Sequence, residues 1–228
     1  MATMQRLEKH DGIGNVQMVE VDVPSPGPQD ALVQVNRSLI SRGSELFARY
    51  VKEEAVSPEI MGYSDAGEVV EVGAEVTEIQ PRARVMALAP HAQYVVRPAA
   101  GGGERLFVLP EGLSYEAATF LPLANGGVAW SRATPINDGD TVVVLGQGLV
   151  GNLYAQAVRQ RNPGRIIVID ATDMRCEIAT ACGADTVLNA ANTDTVEAVK
   201  DLTDGKGADV VVEFGVSELY RRDARVYP

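Results

Sequence analysis

The chain has 228 residues, 46% hydrophobic and 22% charged, with a formal net charge of -11, the balance of a globular protein with material for one or two cores. Acidic residues are scattered, with neither an acidic tail nor a basic stripe, so nucleic acid is not an expected partner. The amino terminus mixes both charge signs and no apolar run is long enough to span a bilayer, so no membrane is expected and the cytoplasm is the default location.

Short alternating stretches at residues 16–23, 31–35, 67–72 and 94–96 are separated by turn-forming residues, the pattern of a small all-β unit. Pro24-Ser25-Pro26-Gly27-Pro28 breaks one strand from the next. Gly101-Gly102-Gly103 reads as a flexible surface loop, because three glycines add backbone entropy and no packing surface. Residues 114–129 are rich in Ala and Leu and follow Pro110-Glu111-Gly112, which predicts a helical link. A domain boundary is expected inside it, dividing the chain into 1–122 and 123–228.

Beyond that link the periodicity lengthens. Residues 141–145 read as a buried strand, 149–161 as a helix, and 165–170 as a second apolar strand, which together make a βαβ unit. A helix over 174–182 closes at Gly183 and leads to a strand at 186–188. Asp194 and Glu197 suit a capping box for a helix running to Thr203, and 208–213 supplies a fourth strand. Strands that alternate with helices predict a parallel, doubly wound sheet. The only two cysteines, Cys176 and Cys182, are six residues apart; on one helix that is about 9 Å along the axis, too far for an unstrained disulfide, so both are expected reduced.

Gly146-Gln147-Gly148-Leu149-Val150-Gly151 is a G-x-G-x-x-G run set directly between a strand and a helix. Backbone amides and the helix dipole there can receive a pyrophosphate. Gly146 permits the tight turn, Gly148 lets phosphates approach the backbone, and Gly151 lets the helix pack on the strand. Asp170 follows Gly151 by nineteen positions at the end of the second strand, where a carboxylate accepts from the adenosine ribose hydroxyls. That favours NAD over NADP, since a 2′-phosphate would meet a like charge, although Arg175 could partly relieve it. The plainer alternative for Asp170 is a strand-end residue that starts a turn.

These features resemble the medium-chain dehydrogenase/reductase superfamily over about residues 15–218. The marks are the run from Gly62 to Gly73 (GYSDAGEVVEVG), the Ala-rich link, the glycine loop, Gly183-Ala184-Asp185, and the run from Gly205 to Val211 (GKGADVV). The resemblance implies an N-terminal GroES-like β domain followed by a partial Rossmann sheet. It also implies an oxidoreductase that transfers a hydride between NAD(P) and an alcohol or carbonyl substrate. Zinc-dependent members hold their metal by a Cys in a Cys-Gly-Thr/Ser-Asp-like motif, the His of Gly-His-Glu, and a further Cys or acidic ligand. Here Arg42-Gly43-Ser44-Glu45 puts Arg42 at the Cys position, Gly62-Tyr63-Ser64 puts Tyr63 at the His position, and Ala124 or a neighbour takes the third place. No thiolate or imidazole stands at those positions, so no catalytic zinc is expected. The cysteine-rich structural-zinc lobe is also missing. His10 and His91 belong to no metal-spacing pattern and are expected at the surface or in loops.

The pattern is most similar to zinc-free members with Ser-x-Gly-Thr/Ser-Glu followed by Gly-Tyr-Ser, the branch that includes bacteriochlorophyllide-dehydrogenase-like proteins. Ser44 aligns with the hydroxyl that relays a proton in zinc-dependent relatives. Without metal a carbonyl needs a hydrogen-bond donor, a role expected of Tyr63 and Ser44 with Arg42 as electrostatic support. A buried tyrosine packed beneath the cleft is the competing reading of Tyr63, and Glu45 reads as a supporting or cap residue. Relatives continue past the fourth strand, and residues 217–228 match no element of the family, so the chain is expected to be shortened at its carboxyl end. A strand at 210–213 would then lie at a sheet edge, which predicts dimerisation or marginal stability. A non-catalytic dinucleotide-binding or redox-sensing module, or an inactive scaffold, are the alternatives to an enzyme.

Overall fold

The computed structural model describes residues 2–99 and 106–215. The chain divides into two compact units, Met1–Pro122 and Leu123–Pro228. Gly101-Gly102-Gly103 and residues 217–228 lie outside the described residues. Among those described, no helix is long and apolar enough to cross a membrane.

The first unit opens with a hairpin of β1 (Thr3–Lys9) and β2 (Val16–Asp22), paired antiparallel from Thr3 opposite Asp22 to Lys9 opposite Val16. Single bridges from Arg6 to Ala92 and from Lys9 to Val56 tie it to later segments. There follow β3 (Asp30–Ser38), a π-helix (Arg42–Tyr50), a 3-10 turn (Pro58–Ile60), β4 (Asp65–Val72), β5 (Arg84–Ala87), β6 (Tyr94–Pro98) and β7 (Phe107–Val108). The five later strands form one antiparallel sheet in the order β6-β3-β4-β5-β7. One face is apolar: Ala31, Val33, Val69, Val85, Ala87 and Val95 are buried together, as strand alternation requires. The register between β3 and β4 shifts twice, at Leu32/Val33 near the start of β3 and at Val35/Arg37 toward the end that leads into the π-helix.

The elements β1, β5, β7 and the π-helix were not apparent from the sequence pattern. The helical link also differs from the single helix expected over 114–129. It is a short α1 (Tyr115–Ala118), capped by Ser114, which accepts from Ala117 N, followed by α2 (Leu121–Ala133). Pro122 explains the restart, since its ring fits the first turn of a helix and not the interior.

The second unit carries β8 (Thr141–Leu145), α3 (Leu149–Val158), β9 (Arg165–Asp170), α4 (Asp173–Ala181), β10 (Thr186–Asn189), α5 (Thr195–Leu202) and β11 (Val210–Glu213). The four strands are parallel in the order β10-β9-β8-β11. Their continuous Val/Ile runs are explained by apolar packing on both faces. Val142, Val144, Ile166 and Val168 pack with Tyr154 and Val158 of α3 and Ala179 of α4. The alternate residues Val143, Leu145, Ile167 and Ile169 pack with Val199 of α5 and Ala208. The helix expected to reach residue 161 changes to a 3-10 turn over Arg159–Arg161 and ends at Asn162, whose φ of 57 is left-handed. Among the described residues, β11 is the last strand in this order, beside β8.

Candidate functional site

The turn from β8 into α3 brings the glycine run together. Gly146 has φ 85, and a Cβ on Gly151 would lie 1.9 Å from the Gly146 carbonyl oxygen, so any larger residue at either position would force the turn apart. Around Gly148, the N-cap of α3, a Cβ would meet nothing within 4 Å, and the first turn of α3 holds no acidic residue. An open helix start whose own first turn carries no carboxylate suits an anion. Leu149 is exposed and Val150 half-buried at this start. The side chain of Gln147 turns inward, buried to 3% exposure. Its amide is therefore turned away from the helix start, and its backbone N–H is already taken up by Asp170.

Asp170 closes β9 against this turn. Its Oδ2 accepts from Gln147 N at 2.7 Å and its Oδ1 from Thr172 N at 2.9 Å, while Arg175 Nη1 stands 3.4 Å from Oδ2. A carboxylate has about four acceptor sites, so capacity remains on Oδ1 after these bonds. These bonds fill the turn-starting role of Asp170, which is 3% exposed. Arg175 thus pairs with Asp170 itself.

In the first unit, Arg42, Ser44 and Glu45 share the π-helix. Ser41 caps it by accepting from Ser44 N at 3.4 Å, and Glu45 Oε1 accepts from Ser41 N at 2.8 Å, so cap and helix hold each other. This is the cap role foreseen for Glu45. Arg42 and Ser44 are exposed, and the Arg42 guanidinium stands 5.4 Å from the centre of the Phe47 ring. Ser41 Oγ and Ser44 Oγ are 3.3 Å apart. Tyr63 is half-buried between the 3-10 turn and β4.

Beneath these residues lies a polar cluster that the sequence pattern did not disclose. His91, expected at the surface, is 9% exposed. Its Nε2 is 2.6 Å from Glu45 Oε2, its Nδ1 is 2.5 Å from Ser38 Oγ, and its backbone amide donates to Met61 O at 2.7 Å. Ser38 Oγ also contacts Asp65 Oδ1, and Tyr50 OH donates to Glu45 Oε2 at 3.1 Å. Glu45 and Asp65 are fully buried. Burial pushes the Asp65 carboxyl up to about 7, against the opposing effects of Ser38, His91 and Arg97. Burial also disfavours the Glu45 charge, yet the bonds from His91, Ser41 and Tyr50 together hold it below the usual carboxylate range. Burial and the neighbouring Glu45 raise the Tyr50 hydroxyl. Among the described residues, no group of three or more His, Cys, Asp or Glu is arranged to hold a metal. The residues at the positions aligned with zinc ligands do not fit one either, because the Arg42 guanidinium carries no donor lone pair.

Residues 150–224 match the model of the zinc-binding dehydrogenase family. The chain is 32% identical over 233 aligned positions to an L-threonine 3-dehydrogenase of Pyrococcus horikoshii, covering 87% of this chain and 65% of that protein. It is 27% identical, with the same coverages, to a sorbitol dehydrogenase of Bacillus subtilis. The chain thus spans 65% of the length of these curated relatives. Among solved structures, a putative zinc-binding dehydrogenase from Sinorhizobium meliloti bound to NADP superposes with a TM-score of 0.81 at 25% identity, covering 100% of this chain and 74% of that one. The 2R,3R-butanediol dehydrogenase of Bacillus subtilis gives 0.80 at 22% identity, covering 98% of this chain and 74% of that one.

Proposed function

We propose that this chain belongs to the medium-chain dehydrogenase/reductase superfamily and serves as a zinc-independent oxidoreductase that uses NAD in preference to NADP on a small alcohol or carbonyl substrate. The observation that carries the reading is Asp170. It ends β9, bonds the amide of the glycine turn at Gln147, and retains acceptor capacity for a ribose hydroxyl. The Gly146–Gly151 backbone and the start of α3 would hold the pyrophosphate. When bound, the nicotinamide supplies or accepts the hydride.

The chain's own residues would then orient and polarise the substrate. Ser44 and Tyr63 are the proposed hydrogen-bond donors to its oxygen, and Arg42 favours negative charge developing there. Zinc independence is supported by the residues at the aligned ligand positions. The family model named for zinc matches only residues 150–224, which include neither Arg42 nor Tyr63. A cytoplasmic setting is supported by the free thiols of Cys176 and Cys182.

Fluorescence titration tests the cofactor assignment. NADH is expected to bind at least about tenfold more tightly than NADPH, the discrimination expected from about 1.4 kcal/mol of like-charge repulsion at Asp170. Equal or tighter NADPH binding would overturn the preference. Turnover across a panel of alcohols and carbonyls, in the presence of a zinc chelator, tests the chemistry. Saturable NADH binding without turnover would leave a dinucleotide-binding module.

A further inference from the structure

The buried cluster of Ser38, Glu45, Asp65 and His91 is assigned no role by the proposed chemistry, and its geometry constrains where its protons sit. Ser38 has a single hydroxyl hydrogen yet contacts both Asp65 Oδ1 and His91 Nδ1. Glu45 accepts from Ser41 N and Tyr50 OH, the bonding of an ionised carboxylate, so His91 Nε2 donates to it. Tautomers follow from such bookkeeping of partners. If Ser38 donates to Asp65, then Nδ1 must donate to Ser38, and His91 is an imidazolium facing two carboxylates. If Ser38 donates to Nδ1, then Asp65 must carry the proton and donate to Ser38, and His91 is neutral.

The two arrangements differ by one proton passed along the chain. The Asp65 O–H breaks as a new Ser38 O–H forms, and the original Ser38 O–H breaks as the Nδ1–H forms. Glu45, His91 and Asp65 together carry one net negative charge in both. Removing that proton would leave two carboxylates ionised beside a neutral ring in a dry site, which is costly.

The same groups join separate pieces of backbone. Glu45 stands on the π-helix with Arg42 and Ser44, Ser38 ends β3, and Asp65 begins β4 two residues after Tyr63. His91 reaches all three through its ring and holds Met61 through its amide.

We propose that Asp65, Ser38, His91 and Glu45 form a proton-sharing clamp, in which Ser38 passes one proton between Asp65 and His91 and the clamp fixes the π-helix against the segment carrying Tyr63. His91 is a positioning residue within it. The functional meaning of the clamp rests on the roles proposed for Arg42, Ser44 and Tyr63, whereas its existence does not. Asp65 is faced by His91, Arg97 and Glu45, Glu45 by His91 and Tyr50, and Tyr50 also by Arg49. The orphan Asp65 Oδ2, buried without a partner among the described residues, is less costly on a neutral carboxyl than on an ionised one.

The test follows the His91 ring nitrogens and the Asp65 side-chain carboxyl carbon by NMR from pH 5 to 9. Coupled groups titrate with midpoints belonging to the pair, so both signals are expected to move at one midpoint in the unaltered chain. Ser38→Ala should separate the two midpoints by about one pH unit or more. Independent midpoints in the unaltered chain, or coincident ones in Ser38→Ala, would overturn the shared proton. The unaltered chain decides the matter even if the variant fails to fold. For positioning, His91→Phe should accelerate amide exchange about tenfold or more in residues 43–47 and 62–64 together, and Phe is a large side chain that keeps the site filled. Unchanged exchange in both segments would remove the clamp. NADH affinity, measured on the same samples, reports the dinucleotide reading separately: its absence from the unaltered chain would sink the proposed function and leave these readouts intact.

Discussion

Asp65 shows how a single buried carboxyl sets the response of a unit to pH. Its folded value of about 7 stands above the ordinary aspartate value of 3.8, so between those limits this carboxyl holds a proton in the folded chain that it gives up in the unfolded one. Stability from this group is therefore fully present below about pH 4 and is lost as pH rises through about 7. Glu45 acts with the opposite sign, since its lowered value stabilises the fold above the ordinary carboxylate range and is lost only at lower pH. Between pH 5 and 8 the slope of Asp65 prevails over that of Glu45. Urea unfolding of the first unit should show a midpoint that falls over this interval, and Asp65→Asn should flatten the fall. A slope unchanged in the variant would show that Asp65 does not carry it.

Elements differ in how far the sequence discloses them. The Val and Ile runs of β8 and β9 announce themselves because both faces are buried, and the glycine turn between β8 and α3 is legible because its backbone needs glycine. By contrast, β1 reads Thr-Met-Gln-Arg-Leu-Glu-Lys, a mostly polar strand with Met4 and Lys9 buried, held by pairing with β2 and by distant bonds to His91 and Gln93 that no local pattern shows. The π-helix shows no sequence period that distinguishes it. Its anchor, Glu45, meets a histidine 46 positions away, and that histidine meets Ser38 across 53. Local pattern cannot register such pairings, and for that reason His91 read as a surface residue. Asp194 is the opposite case, a cap visible from spacing alone. Its Oδ1 accepts from Val196 N and Glu197 N at 3.2 Å each. Asp194→Ala should cost about 1 kcal/mol of stability, measured by urea unfolding, while NADH affinity changes less than about twofold. No loss of stability would mean that the cap bonds do not hold α5 in solution.

At the scale of the molecule, the two proposed chemistries fall in different compact units, so each can be perturbed alone. The dinucleotide residues Gly146–Gly151 and Asp170 belong to the second unit, and the clamp belongs to the first. Trp130, the chain's single tryptophan, packs beside Phe214 with ring centres 5.8 Å apart, which places an optical probe in the second unit. A ligand that binds only the folded state stabilises it by about 2.7 kcal/mol at a hundredfold excess over its Kd. NADH at that level should raise the Trp130-detected urea midpoint and slow amide exchange in residues 142–151 and 166–172, the strands and turn around the proposed pyrophosphate and ribose sites. Those segments are where the bonds from Gln147 and Thr172 to Asp170 must hold if the site is formed. Protection that appears elsewhere but spares both segments would remove the dinucleotide from the glycine turn. Because exchange localises the ligand without requiring turnover, the result bears on binding whether or not this length of chain supports catalysis.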